Sequence, residues 1–303
     1  MKQLLTLLSF SIIIACSAPS EKKENTMTTN DFDKQGHRGC RGLMPENTIP
    51  AFKKAIDLGV NTLEMDVVIT KDNQVILSHE PFFNHEITTK PDGKHVEENE
   101  EKSLNIYQMT YEETQKYDVG LKPHPRFTKQ EKLAAHKPKL ADVIDSAEAY
   151  AQRMGLAAMQ YNIETKTMPE RDSIYHPKPA EFVELLIAVI KEKKIEDRVI
   201  IQSFDIRTLQ YLHNKYPNIK TAYLFEPPSD KSLTERLALL GFKPTIYSPA
   251  YETLTAEVIK ECKDAGIKVI PWTVNEVSAM NELKKMGVDG IISDYPDLFK
   301  DLN

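Results

Sequence analysis

Between residues 140 and 293 the chain alternates between helical and strand patterns with little in between. Apolar spacing predicts helices over 140–154, 179–194, 206–216, 233–240, 255–265 and 277–286. Short apolar runs predict strands over 158–164, 198–202, 221–225, 245–248, 268–271 and 289–293. Upstream, Ile49, Phe52, Ala55 and Ile56 share one helical face and Gly59 stops that helix. A strand follows over 61–69, and a first strand lies near Gln35. Strands alternating with helices favour parallel βα units. Eight such units between residues 31 and 303 fit a (β/α)8 barrel, which takes about 250 residues. The rival is an open doubly wound sheet, but the G-x-G-x-x-G of its dinucleotide-binding form does not follow the first strand.

One link breaks the alternation. Only Thr70 to Gln74 separates the strand ending at Ile69 from the apolar run Val75 to Leu77. A parallel crossover needs a dozen or more residues, so these two runs form a hairpin. A turn centred between Asp72 and Asn73 places Asp66 opposite His79. Glu64 and Asp66 lie two apart on their strand and therefore on one face.

In a barrel of this kind the chemistry sits at the C-terminal ends of the strands. His37 and Arg38 follow the first strand there. Glu64 and Asp66 end the second, and Glu164 ends the third with Lys166 two residues on. Gln202 and Ser203 end the fourth, while Trp272 and Asn275 follow the seventh. A lone carboxylate is most simply half of an ion pair, and a lone histidine is more often structural than catalytic. Convergence on one rim changes that. Three carboxylates in one mouth repel each other, and their hard oxygens suit Mg²⁺ or Ca²⁺. Histidine, with a pKa near ~6.5, can take or give a proton near neutral pH. Arg38 offers a planar fork of donors for phosphate oxygens, and Lys166 can neutralise the same group. Trp272 either packs against a substrate or plugs the rim. Glu46 and Asn47 read as scaffold, an N-terminal helix cap formed with Thr48. The histidines at 85, 95, 124, 136, 176 and 213 show no ligand spacing and read as surface or insertion residues.

The pattern H-R-G-x5-P-E-N-T from His37 to Thr48, then E-x-D at Glu64 and Asp66, then a strand ending in His79, resembles the glycerophosphodiester phosphodiesterase family. Asn162-Ile163-Glu164-Thr165-Lys166 continues the likeness, which runs over about residues 34 to 300. The resemblance implies that Glu64, Asp66 and Glu164 hold one divalent cation, Ca²⁺ or Mg²⁺. It implies that His37 and His79 are catalytic. We read His37 as the base and His79 as the leaving-group acid, an order the sequence does not fix. The implied reaction is hydrolysis of deacylated phospholipids to sn-glycerol 3-phosphate and an alcohol, with water or the substrate's own glycerol hydroxyl attacking. Residues 81–137, rich in aromatics and charge and weakly helical around 110–117, resemble the family's insertion over the active-site mouth and read as an ordered cap. One residue departs from the pattern: the family commonly has Asp after the second histidine, where this chain has Glu80.

Composition narrows the partners. A net charge of −6 leaves no basic footprint for nucleic acid. Three cysteines are too few for a disulfide framework and show no zinc spacing, and Cys40 and Cys262 are expected to stay unpaired. Residues 1–15 carry Lys2 and an apolar run too short to span a bilayer as a helix. The ending Ile13-Ile14-Ala15-Cys16 resembles a bacterial lipoprotein signal, which implies that Cys16 is the lipidated mature N-terminus. Residues 16–30 read as a flexible tether and 31–303 as the barrel domain. The expected protein is exported and faces the periplasm or the cell exterior. Its one membrane contact is the anchor, its partner is a small molecule, and no protein partner is inferred. The rivals are a phospholipase D-like or lysophospholipid-specific diesterase on the same barrel, and a lipoprotein that only binds glycerophosphodiesters.

Overall fold

The computed structural model describes residues 32–228 and 230–303. The expected signal, Cys16 and the tether lie outside the described residues. Among the described residues nine strands form one sheet: β1 (Asp33–Gly36), β2 (Thr62–Ile69), β3 (Val75–Leu77), β4 (Gln160–Thr165), β5 (Val199–Ser203), β6 (Lys220–Phe225), β7 (Ile246–Pro249), β8 (Lys268–Val269) and β9 (Gly290–Ser293). Apart from β3, all are parallel to their neighbours in the order β8-β7-β6-β5-β4-β2-β1-β9. The remaining gap closes through backbone bonds from Asp289 N to Val269 O (2.8 Å), from Ile292 N to Pro271 O (3.0 Å) and from Val274 N to Ile292 O (3.0 Å). The eight parallel strands are thus a barrel.

Helices α1 (Ile49–Asp57), α3 (Leu140–Arg153), α4 (Pro179–Lys193), α5 (Ile206–Lys215), α6 (Leu233–Leu240), α7 (Ala256–Asp264) and α8 (Val277–Met286) follow successive barrel strands, and a one-turn α2 (Tyr111–Thr114) lies in the insertion. Strand alternation sorts the side chains. Leu63, Met65, Tyr161 and Ile163 point out into the apolar layer under the helices. Ile200, Ala222, Ile246, Ile270 and Ile292 form a second apolar cluster with Trp272 packed on it. Cys40 and Cys262 are buried and free.

The hairpin forms, but one residue out of the expected register. Val67 pairs with Leu77 and Ile69 with Val75, so Ser78, not His79, falls opposite Asp66; the Ser78 N–H donates to Asp66 O. The turn is centred on Asp72, with Thr70 N bonded to Gln74 O and Asn73 at φ 60. Asparagine tolerates that left-handed conformation, which lets the loop close over an odd number of residues. His79 lies beyond the end of β3, and the chain bend there brings it to the rim.

Residues 81–137 carry their own small core. Phe83, Ile87, Ile106, Val119 and Ala135 pack on Val68 and Ile76 of the hairpin, and the rings of Phe83 and Tyr117 stack at 4.1 Å. Thr110 and Glu113 form a capping box at the start of α2. The segment therefore stands as an ordered structure over one side of the barrel mouth.

The turn after β1 is tight. A Cβ on Gly36 would lie 2.1 Å from Gly39 O, a backbone atom that cannot swing aside. Gly36→Ala is expected to destabilise the protein by about 1–3 kcal/mol, the usual range for forced overpacking. Thermal unfolding measures it, and an unchanged midpoint would mean the turn is looser than described.

Candidate active site

The register across the sheet builds the site. Asp66 on β2 sits beside Glu164 on β4, and Glu164 beside Gln202 on β5. Glu64 lies one pleat deeper, beside Asn162. Neighbouring strands are about 4.8 Å apart, so these inward side chains must meet. One carboxylate oxygen from each of Glu64, Asp66 and Glu164 lies within 4.8 Å of the other two, and all three residues are buried.

The loop after β1 wraps this cluster. Arg38 takes a left-handed backbone (φ 49), which aims its N–H at Glu64 Oε2 (2.8 Å). Its guanidinium spans Glu46 Oε1 (3.0 Å) and Asp66 Oδ2 (3.2 Å). Lys166 reaches back along β4, with Nζ 2.7 Å from Glu164 Oε1 and 3.7 Å from Asp66 Oδ1. Gln202 Nε2 donates to Glu64 Oε1 at 2.7 Å, and Asn162 Nδ2 in turn donates to Gln202 Oε1.

Glu46 and Asn47 are not the helix cap the sequence suggests. Thr48 alone caps α1, accepting from Ala51 N. Asn47, left-handed at φ 56, clamps Asp66 twice: its Nδ2 donates to Oδ2 (2.9 Å) and its Oδ1 accepts the Asp66 N–H (3.2 Å). Glu46 is spent on Arg38. His176 also departs from the surface reading: it is buried, with Nε2 accepting the Met168 N–H and Nδ1 on Pro177 O.

Both rim histidines are tied by Nδ1 to a carboxylate. His37 Nδ1 is 2.6 Å from Asp294 Oδ1, and His79 Nδ1 is 2.8 Å from Glu80 Oε1. An ionised carboxylate only accepts, so each Nδ1 carries the proton and each Nε2 is a bare acceptor. Burial lowers the His37 pKa, with Asp294 opposing. Burial, then Arg38 and Lys166, push His79 down to about 4. Both rings are therefore neutral before substrate binds. Among the acids, burial and then Asp66 raise Glu64 well above its usual range. Burial also raises Asp66, but the charges of Arg38 and Lys166 and the hydrogen bond from Asn47 outweigh it and hold that group ionised.

These groups line a cavity of about 500 Å³. His37, Arg38, Glu64, His79, Glu164, Lys166, Gln202 and Trp272 all face it. Trp272 is held by a bond from Nε1 to Ser248 O (3.0 Å) and meets the Phe204 ring edge-on at 5.6 Å. It forms part of the cavity wall.

The family model described as the glycerophosphoryl diester phosphodiesterase family matches residues 37–298. The chain belongs to that family. A glycerophosphodiester phosphodiesterase of Caldanaerobacter subterraneus subsp. tengcongensis is 31% identical over 86% of this chain and 93% of its own length. The crystal structure of a candidate glycerophosphoryl diester phosphodiesterase from Silicibacter pomeroyi superposes with a TM-score of 0.79 at 30% identity, covering 90% of this chain and 93% of that one. A phosphodiesterase of Oleispira antarctica, solved with the product sn-glycerol-3-phosphate, shares the fold at 22% identity and a TM-score of 0.69, covering 89% of this chain and 95% of that one. As a glycerophosphoryl diester phosphodiesterase family member, this protein is a phosphoric diester hydrolase.

Two site residues of this family member escaped the sequence reading. Asp294 follows β9 and holds His37; it is itself gripped by Arg41 through Nε (2.9 Å) and NH2 (3.1 Å), and by Asn275 Nδ2 (2.8 Å). The strand-end rule applied to the eighth strand would have found Asp294. No sequence signal marks Arg41.

Proposed function

We propose that the protein cleaves glycerophosphodiesters to sn-glycerol 3-phosphate and an alcohol, in a reaction that depends on one divalent cation and on His37 and His79. One observation carries this reading: a buried, all-oxygen donor set lies between two histidines whose Nε2 atoms are free. The donor set fits a hard cation. Asp66 Oδ1 is buried and, among the described residues, has no hydrogen-bond partner, Lys166 Nζ standing 3.7 Å away, although the group is ionised. Glu64, Asp66 and Glu164 would hold Ca²⁺ or Mg²⁺, which would relieve their repulsion and polarise a phosphoryl oxygen.

The chain's own groups supply the rest. Arg38 holds the phosphate through the donors left over from Glu46 and Asp66, and Lys166 adds a second positive charge. His37 Nε2 takes the proton of the attacking hydroxyl, from water or from the substrate's glycerol; the glycerol route leaves a cyclic phosphodiester that a water must then open to give sn-glycerol 3-phosphate. The new O–P bond forms as the P–O bond to the leaving alcohol breaks. His79 donates to that leaving oxygen. Burial depresses His79 most, and Arg38 and Lys166 add to it; an anionic substrate lying on those two cations offsets their share and favours the protonated ring that the step needs. Gln202 and Trp272 contribute differently: Gln202 fixes Glu64, and Trp272 walls the cavity.

The test is release of sn-glycerol 3-phosphate from glycerophosphocholine, with EDTA, with added Ca²⁺ or Mg²⁺, and with His37→Ala. Metal-dependent release that collapses in the variant supports the reading. Binding without release under any metal would leave a glycerophosphodiester-binding protein instead. The lipoprotein reading is tested separately: Cys16→Ser is expected to move the protein from the membrane to the soluble fraction.

A further inference from the structure

A second cavity of about 210 Å³ lies between the insertion and the barrel rim, sharing Arg38, Arg41, His79, Glu80 and Arg126 with the first. Among the lining residues that the reaction above does not use are His124 and Lys137. His124 is 5% exposed, its ring set edge-on against Phe127 at 4.7 Å. Its Nδ1 accepts the Arg126 N–H at 3.1 Å, so in the neutral ring the proton sits on Nε2. That Nε2 is buried and has no hydrogen-bond partner among the described residues. A buried N–H donor with nothing to donate to is costly, and native sites rarely keep one.

Lys137 is also 5% exposed. Its Nζ donates to the neutral Ser78 Oγ at 2.8 Å and stands over the Phe83 ring, and among the described residues it makes no ion pair. Burial pushes this amine down to about 8, the cost of a charge without a counterion. The carboxylates in the cavity are already engaged: Glu46 with Arg38 (3.0 Å), Glu80 with His79 (2.8 Å) and Glu86 with Arg126 (3.0 Å). The volume far exceeds the roughly 10–15 Å³ that a single water needs. One water therefore does not account for the space, and an acceptor with negative charge suits both unused donors.

We propose that this second cavity is a subsite for a second phosphate group, carried by the substrate on its leaving-group side. The placement rests on the phosphodiesterase reading above, in which His79, common to both cavities, faces the leaving alcohol. The favoured substrates are diesters whose alcohol bears a phosphate monoester. The insertion thereby sets specificity, since it supplies His124, Arg126 and Lys137.

The test compares two ligands that differ only in that group: glycerophosphoglycerol, and the same diester phosphorylated on its far glycerol. Calorimetry on the full chain carrying His37→Asn measures binding without turnover. The phosphorylated diester is expected to bind about 10-fold tighter or more, as loss of hydrogen bonds to a charged group would reverse. Lys137→Met and His124→Phe are expected to erase that preference while leaving glycerophosphoglycerol within about 2-fold; Lys137→Arg keeps it. Equal binding of the two ligands by the parent protein overturns the proposal, and so does an equal loss of both in the variants. Inorganic phosphate separates the sources. Stronger competition against the phosphorylated diester supports a substrate-borne group, whereas tighter glycerophosphoglycerol binding in its presence marks a site for free phosphate and overturns the proposal. Turnover of either diester by the parent protein is scored separately, so a failure of the activity reading is not mistaken for a failure of the subsite.

Discussion

Adding Ca²⁺ or Mg²⁺ to EDTA-stripped protein is expected to restore turnover and raise the thermal unfolding midpoint, with the rise larger at pH 8 than at pH 6. A ligand that binds only the folded state at 100 times its Kd stabilises by about 2.7 kcal/mol. The pH dependence follows from Glu164. Burial raises it, Lys166 opposes, and Asp66 adds to the rise, leaving it at about 7 without a cation. The folded protein therefore keeps a proton there at pH values where the unfolded chain has lost it. Such a group stabilises at low pH, and its contribution is lost as pH rises from about 4.5 through about 7. At pH 6 a cation must displace that proton, and at pH 8 it need not. His37 and His79, both lowered, give the opposite slope over the same range, so the metal-induced difference is the quantity to follow and not the bare midpoint. Glu164→Gln is expected to weaken the pH dependence of that difference, the remainder coming from Glu64, which burial and Asp66 also raise. It should also lower activity by at least the roughly 10–100-fold that losing an outer-shell partner costs. A midpoint gain independent of pH, or one unchanged in the variant, would place the cation elsewhere.

The barrel and most of its rim were legible because both depend on local periodicity. Strand alternation places Glu64 and Asp66 on one face, and the strand-end rule brings Glu164 and Gln202 to the same height; the register shows them side by side. What escaped depends on contacts between distant segments. Asp294 acquires meaning only because β9 pairs with β1, setting Ser293 beside Gly36 and so Asp294 beside His37. Asn47 resembles a cap by its place before Thr48, and only the fold shows both its amide atoms turned onto Asp66. The hairpin slipped by one residue because Thr70 to Gln74 offers two turn centres, and a left-handed Asn73 selects one. The second cavity was out of reach altogether. His124 and Lys137 belong to a segment without periodicity, and their unused donors appear only once neighbours are in place.

Asp294→Asn is expected to lower kcat by roughly 10²–10⁴, the scale on which losing the carboxylate that orients a histidine base is felt in hydrolases of unrelated fold. The loss acts through the tautomer of His37. Asp294 accepts the Nδ1 proton of His37 at 2.6 Å and so keeps Nε2 bare, facing the cavity. An asparagine can turn its NH₂ towards the ring, move the proton to Nε2 and leave no base there. KM should change little, because Asp294 does not line the substrate cavity. A second readout separates this from mere loss of structure. The Asp294 carboxylate raises the His37 pKa against burial, so its removal lowers that pKa further. His37 must be neutral to act as base, and the acid limb of the kcat/KM profile should therefore move to lower pH in whatever activity remains. Combining Asp294→Asn with His37→Asn should cost little more than His37→Asn alone, since both remove the same proton acceptor. Additive losses, or an acid limb that stays in place, would show that Asp294 supports the fold without setting the state of His37.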